Sequence, residues 1–275
     1  MNIFSKLSNG WSLSVNSLRV LKANKQLIIF PILSGISMVL IIGSFLLAVL
    51  SSAGWDIGSI NEENTGMNYA IGFLFYLVNY FIVAFFNTAL IQCTGDYFNG
   101  EVPSIRKGLR FSLSRIGGIF AWSLFAATIG FALRILQENL GWLGKIITGI
   151  IGVVWSIATF FVVPIIAYEN LGPLQAFKRS AGLMREKWGE SLGSTFSFGL
   201  LRLLAFFIIC VPLFFLGLII HPLLGIALGV LGIFLVMAVS GAAQTIFISA
   251  VYHDLNGDPV KNFNEKFAEN LFRSK

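Results

Sequence analysis

Arg202 is the residue on which any chemistry in this chain would most depend. It stands in the run GLLRLLAFFIIC, which carries no other charge. A cation at the centre of a bilayer costs roughly 2.5–3.5 kcal/mol on insertion scales. Ten residues into an apolar segment that starts near Leu192, its guanidinium is expected to face a bundle interior or a watery cavity, paired with carboxylate, amide or backbone oxygens. Three roles are open to it: a contact for a substrate or lipid headgroup, a clamp between spans, or a snorkelling cation. Glu169 ends another apolar run. It can pair with Arg202, Lys178 or Arg179, accept from backbone N–H groups at the start of the next helix, or move a proton. Asp96 and Asp254 hold comparable places before two other turns. Asn79, Asn87, Gln92 and Gln244 bring amides into apolar runs, where they line a polar path or bond one helix to the next.

Motifs for other chemistry are missing. His221 falls in an outer turn and His253 at the inner end of the last apolar run, so they do not share a metal. His253-Asp254 is at most half of a metal site. There is no His-Glu-x-x-His, no Walker loop and no serine in a nucleophile elbow. Cys93 and Cys210 imply no disulfide framework. No cofactor is expected, and no enzyme activity.

The elements that must position these residues follow from composition. Of 275 residues, 56% are hydrophobic and 12% are charged, about half the charged share of a soluble domain. The net charge of +6 does not point to nucleic acid, because the cations sit in short connections beside apolar runs. The predicted fold is all-α and polytopic, one membrane domain over 1–275 with spans at about 27–50, 67–92, 116–136, 142–167, 192–220 and 223–251. Each exceeds the ~20 residues needed to cross a bilayer. Pro31 and Pro164 are expected to bend or break their helices, and Pro212 lies within the fifth span. Residues 3–25 read as an amphipathic helix on the membrane surface, with Ile3, Leu7, Trp11, Val15, Leu18 and Leu21 on one stripe. No cleavable signal peptide is expected, and the tail 253–275 keeps an amphipathic stripe.

Charge sets the orientation. The N-terminal segment, the linkers after the second and fourth spans, and the tail carry four Lys or Arg each, whereas the loops after the first and fifth spans carry none. Arg134, Glu138 and Lys145 only bracket the turn between the third and fourth. Both termini are therefore expected in the cytoplasm of a bacterium, with the protein in its inner membrane. Between spans, Leu174, Phe177, Ala181, Met184 and Trp188 recur at helical spacing, with Lys178, Arg179, Arg185 and Lys187 supplying charge. These cations, with Arg106, Lys107 and Arg110 of the preceding linker, are candidates for contact with anionic headgroups. The turns share a grammar as well. Asn99-Gly100, Asn170 with Gly172, and Asn256-Gly257 each precede a proline, at 103, 173 and 259. The reading is an internal repeat of three hairpins, each followed by a basic helix. Gly225-x-x-x-Gly229 permits close helix packing and is a weak dimerisation signal.

The run YENLGPLQAFKRSAGLMREKWGESLG resembles a signature of bacterial six-pass membrane proteins, in which Glu-Asn/Asp-x-Gly-Pro-x-x-Ala-x-x-x-Ser precedes a helix ending in Trp. The opening WSLSVNSLRVLKANKQLIIFPILSGI is similar to the first segment of an uncharacterised family in that group. A more distant likeness is to the membrane domain fused to some glycerophosphodiester phosphodiesterases. The resemblance implies a fold and a membrane location and brings no catalytic residues. The expected function is that of a non-enzymatic organiser or partner subunit, in contact with anionic lipid and with itself or other membrane proteins. The alternative is a carrier or channel for a small solute or lipid, with a polar path through Arg202, Asn87, Gln244 and Glu169. A lipid-modifying enzyme is the third reading.

Overall fold

Long apolar runs without alternation leave the backbone one means of satisfying its own polar groups in lipid, the α-helix. The computed structural model describes residues 3–52, 55, 65–186, 188–258 and 260, and no strand occurs among them. The order is α1 (Ile3–Ala23), a 3-10 turn (Lys25–Ile28), α2 (Ile29–Ser52), α3 (Thr65–Phe98), α4 (Ile105–Ser114), α5 (Ile116–Ala158) and α6 (Val162–Tyr168). Then come α7 (Pro173–Glu186), α8 (Trp188–Ala205), a π segment (Phe206–Cys210), α9 (Val211–Ile220) and α10 (Pro222–Leu255). Most of the polar loop expected over 51–66, Lys187, and nearly all of the tail beyond Asp258 lie outside the described residues.

Among the described residues, five stretches are long and apolar enough to cross a membrane: Lys25–Ser51, Tyr69–Phe98, Ile116–Tyr168, Ser197–Ile220 and Pro222–Leu255. Much of their apolar surface points outward, with Leu40 and Ile208 exposed at 68% and 70%. Apolar exposure on that scale belongs against lipid or another protein. The chain is a multi-pass membrane protein.

Each expected proline break lies a turn upstream of its proline. A proline cannot donate to the carbonyl four residues back, and its ring crowds that carbonyl. Pro31 follows the 3-10 turn, and Pro164 follows an interruption between α5 and α6. Pro212 follows the π segment, where the wider turn relieves the missing bond. The expected third and fourth spans fall within one stretch of 53 residues, about 80 Å if straight. It is not straight. Gly141 breaks α5 with φ 56° and ψ −129°, and beyond it the chain doubles back, so that Trp122 and Trp155 stack with ring centroids 6.0 Å apart.

The chain packs as two units. The first comprises Met1–Ile32, Asn87–Phe111 and Gly182–Lys275. Within it α9 and α10 meet through glycine, since a Cβ on Gly217 would lie 2.7 Å from the Cα of Gly225. Gly225, read as a dimerisation signal, thus serves a contact within the chain. Of the stripe expected on α1, Leu21 is buried and Trp11 exposed, and the side chains of Ile3 and Leu7 lie outside the described residues. This helix rests on α8 and α10 and buries Ser14, Asn16, Ser17, Val20 and Leu21, while Trp11 is 39% exposed. Small serines permit a close helix approach that a large apolar stripe would prevent. Gln26 Nε2 donates to the Pro103 carbonyl at 2.7 Å.

The second unit comprises Leu33–Phe86 and Ser112–Ala181. Aromatic rings cluster within it. Phe131 takes Tyr69, Phe73 and Tyr76 around its ring, and Trp155 stacks between Trp122 and Phe177.

The turns use left-handed residues. Gly100 has φ 86° and Gly257 φ 78°, and in the middle turn it is Asn170, at φ 52°, that takes this conformation. In the outer two, Glu101 N–H donates to the Asp96 carbonyl and Asp258 N–H to the His253 carbonyl, each at 2.9 Å. Both are the six-residue closure that ends a helix at a left-handed glycine.

Candidate functional site

Arg202 is half-buried on α8. Its Nε donates to Ser240 Oγ at 3.0 Å and its Nη2 to Gln244 Oε1. Ser240 Oγ gives its own proton to the Val236 carbonyl at 2.7 Å, which leaves its lone pairs for the guanidinium. Ser240 and Gln244 are one helical turn apart, so α10 presents both on one face. The next residue, Thr245, donates to Asn87 Oδ1 at 3.4 Å and ties α10 to α3. Three of the four residues expected at a polar site, Arg202, Gln244 and Asn87, are therefore linked through neighbouring positions of α10. Glu169 belongs to the second unit, where it accepts from Arg179 Nε at 3.4 Å.

A cavity of about 310 Å³ adjoins Arg202. Leu18 of α1, Ala205 of α8, Ile209 of the π segment, and Leu235, Val236 and Val239 of α10 line it. Only Arg202 and Ser240 bring side-chain polarity to this wall. An arginine carries five N–H donors, and those not used on Ser240 and Gln244 have no partner among the described residues. Nor does a carboxylate there come within ion-pair distance of Arg202. The site thus joins a partly satisfied, uncompensated cation to an apolar hollow.

Residues 66–258 match the family of unknown function DUF6159. The chain belongs to that family. No curated protein matches it. The DUF6159 match takes in Arg202, Ser240, Gln244, Thr245 and Asn87, and both basic helices between spans, α4 and α7.

The six cations expected at headgroups are all exposed, Arg106, Lys107 and Arg110 on α4 and Lys178, Arg179 and Arg185 on α7. Lys107 is partly committed, with Nζ 2.8 Å from Glu101 Oε2 and 3.0 Å from Asp96 Oδ1. The hydrogen bonds to Glu101 and then Asp96 push its pKa up to about 12. Asp96 is buried, and its Oδ1 also accepts from Gln92 Nε2 at 2.8 Å. Gln92 therefore supports an ion pair at the α3–α4 turn. His253 Nδ1 lies 3.2 Å from Asp258 Oδ2. Some 32 residues of α10 separate it from His221, about 48 Å of helix.

The inward face of α7 is Ala176, Ser180, Leu183 and Met184, whereas Leu174, expected on the apolar stripe, is 52% exposed. Three serines went unread in the sequence. Ser240 completes the Arg202 clamp. Ser180 Oγ accepts from Phe161 N–H at 3.0 Å, in the interruption before α6. Ser112 Oγ donates to the Phe85 carbonyl at 2.9 Å. The signal for the first was available, Ser-x-x-x-Gln inside an apolar run opposite a lone Arg. The Ala and Ser of the quoted signature are the two buried small residues Ala176 and Ser180.

Proposed function

We propose that this DUF6159 protein is a non-enzymatic component of a bacterial inner membrane that organises or partners other membrane constituents. In this reading it crosses six times as three hairpins, with α4 and α7 on the cytoplasmic surface against anionic lipid. The reversal at Gly141 supports two crossings within Ile116–Tyr168. The two closing motifs at Gly100 and Gly257, with the left-handed Asn170 between them, support the threefold repeat. The distant likeness to a membrane domain fused to an enzyme fits a partner module.

One observation carries the choice against a solute path. Among the groups that would line such a path, Arg202 is engaged with Ser240 and Gln244, and Asn87 with Thr245. Beside them the hollow is apolar except at Arg202 and Ser240, which leaves a hydrated solute little to replace its water. A carrier remains the alternative reading only for an apolar or lipid-like cargo, and the cavity favours that form of it.

The test is stability in bilayers of defined charge. In nanodiscs containing phosphatidylglycerol the wild type is expected to melt several degrees above its value in phosphatidylcholine alone. Replacing Arg106, Arg110, Lys178 and Arg185 together by Gln is expected to remove most of that difference. An unchanged difference in the fourfold variant would remove the lipid-surface role from α4 and α7.

A further inference from the structure

We propose that the hollow beside Arg202 holds an acyl chain of an anionic lipid, whose phosphate or carboxylate oxygens bond the remaining N–H groups of Arg202. The inference deepens the membrane-organiser reading and takes from it the orientation of the last two spans. Charge is the first argument. Among the described residues the guanidinium has neutral partners only, Ser240 and Gln244, and no acidic side chain there neutralises it. In a low-dielectric setting such a cation recruits an anion. The unused N–H groups of a guanidinium form a planar fork that matches two oxygens of a phosphate or carboxylate.

Depth is the second argument. Arg202 and Ser240 each stand nineteen residues from His221, roughly 28 Å of helix. The hydrocarbon core is ~30 Å thick. With the His221 turn at one face, Arg202 reaches the headgroup boundary of the other, instead of the bilayer centre suggested by its place within the apolar run. The cost of a central charge is thereby avoided. Shape is the third. Ala205 and Ile209 follow Arg202 towards the turn, and Val236 and Leu235 precede Ser240 towards it, while Phe198 and Leu201 bound the hollow on the other side of the cation. The larger part of the hollow therefore runs from the cation into the hydrocarbon, the direction an acyl chain takes from its headgroup. Ile209 and Leu235 are exposed, so the chain can enter sideways from the bilayer. The volume, about 310 Å³, falls at the lower end of ligand pockets, roughly 300–1,000 Å³.

Native mass spectrometry of delipidated protein tests the site, with three probes: dioleoyl phosphatidylglycerol, dioleoyl phosphatidylcholine and oleate. All are measured in the wild type and in the Arg106/Arg110/Lys178/Arg185→Gln background, which separates this site from the surface cations. One phosphatidylglycerol per chain is expected to be retained in both backgrounds, at least tenfold more tightly than phosphatidylcholine. Arg202→Gln should abolish the preference and Arg202→Lys restore part of it. Ala205→Phe, which fills the hollow and leaves the charge, should weaken phosphatidylglycerol binding at least tenfold. Displacement of phosphatidylglycerol by oleate would assign carboxylates to the site as well, and failure of oleate to compete would confine it to phosphate. Equal retention of the two phospholipids overturns the proposal, as does a preference that survives Arg202→Gln. If that variant does not accumulate, unchanged binding by Ala205→Phe overturns it alone. The surface role of α4 and α7 can fail while this site stands, and the reverse.

Discussion

At the scale of single residues, hydroxyls in this protein do unequal work, and the difference is measurable. Ser180 Oγ is the acceptor for the Phe161 N–H, a buried donor in the gap between α5 and α6. Ser180→Ala strands that donor, and an unsatisfied buried N–H costs about 1–3 kcal/mol. Ser112 instead donates to the Phe85 carbonyl, an oxygen inside α3 that keeps a second lone pair for its helical bond. Ser112→Ala should therefore cost about 1 kcal/mol or less. Melting temperatures of the two variants in one detergent check the order, and a larger loss for Ser112→Ala would contradict it. Arg202 was legible from sequence because a lone charge in an apolar run always needs an explanation. Its partner Ser240 was not, because serine is ordinary in membrane helices and only the pairing of α8 with α10 gives it a role. The steric counterpart is Gly108, whose Cβ would meet Cys93 Sγ at 2.7 Å and the Ala89 carbonyl at 2.8 Å. The second of these is backbone and cannot swing aside, so Gly108→Ala should destabilise by about 1–3 kcal/mol, read as a lower melting temperature.

At the scale of elements, the turns after α3 and α10 are the parts most nearly written in the sequence. Asn-Gly followed by Pro announced a left-handed helix end, and Gly100 and Gly257 supply it. Between α6 and α7 the same grammar misleads about which residue turns. Asn170 does so, and Gly172 keeps an ordinary φ while its carbonyl accepts from Ala176 N–H at 2.8 Å. The choice depends on where α6 ends, and α6 begins only after the interruption forced by Pro164, a tertiary matter. Gly100→Ala should cost about 1–2 kcal/mol, the penalty of a Cβ in the left-handed region, whereas Asn170→Gly should be neutral or slightly stabilising. Chemical denaturation in mixed micelles distinguishes the two. The α3–α4 turn also carries a pH signature. Lys107 has its pKa raised from the usual 10.5 to about 12 by Glu101 and Asp96, so its contribution is complete below about pH 10.5 and disappears as pH rises through about 12. The melting temperature of the wild type should fall towards that of Lys107→Met across this interval and keep a constant offset from it below pH 10. The effect is small, because the ammonium is half-exposed and screened by solvent.

At the scale of the whole molecule, hydropathy tells how much chain is apolar and leaves open how often it crosses. Ile116–Tyr168 is one continuous apolar stretch by that measure, and nothing in Gln137–Gly141 is as strong a stop as the Asn-Gly-Pro turns elsewhere. The left-handed Gly141 and the Trp122–Trp155 stack provide the stop that composition conceals. The packing face of α1 is concealed for a related reason, since Ser14 and Ser17 are as buried as Leu21 and nothing in an apolar stripe announces them. If the stretch crosses twice, the membrane is traversed an even number of times, and both ends of the chain share a side. If it crosses once, every cationic connection after it lies on the opposite face from those before it, against the bias that holds cations in the cytoplasm. Single cysteines in a background lacking Cys93 and Cys210 decide between these. Trp142, exposed at 70% beside Gly141, is expected as Cys to react with an impermeant maleimide on intact cells. Lys178→Cys, exposed on α7, should react only after the membrane is permeabilised. Reaction at 178 from outside would put α7 away from the cytoplasm, and with it the side from which a lipid would offer its headgroup to Arg202.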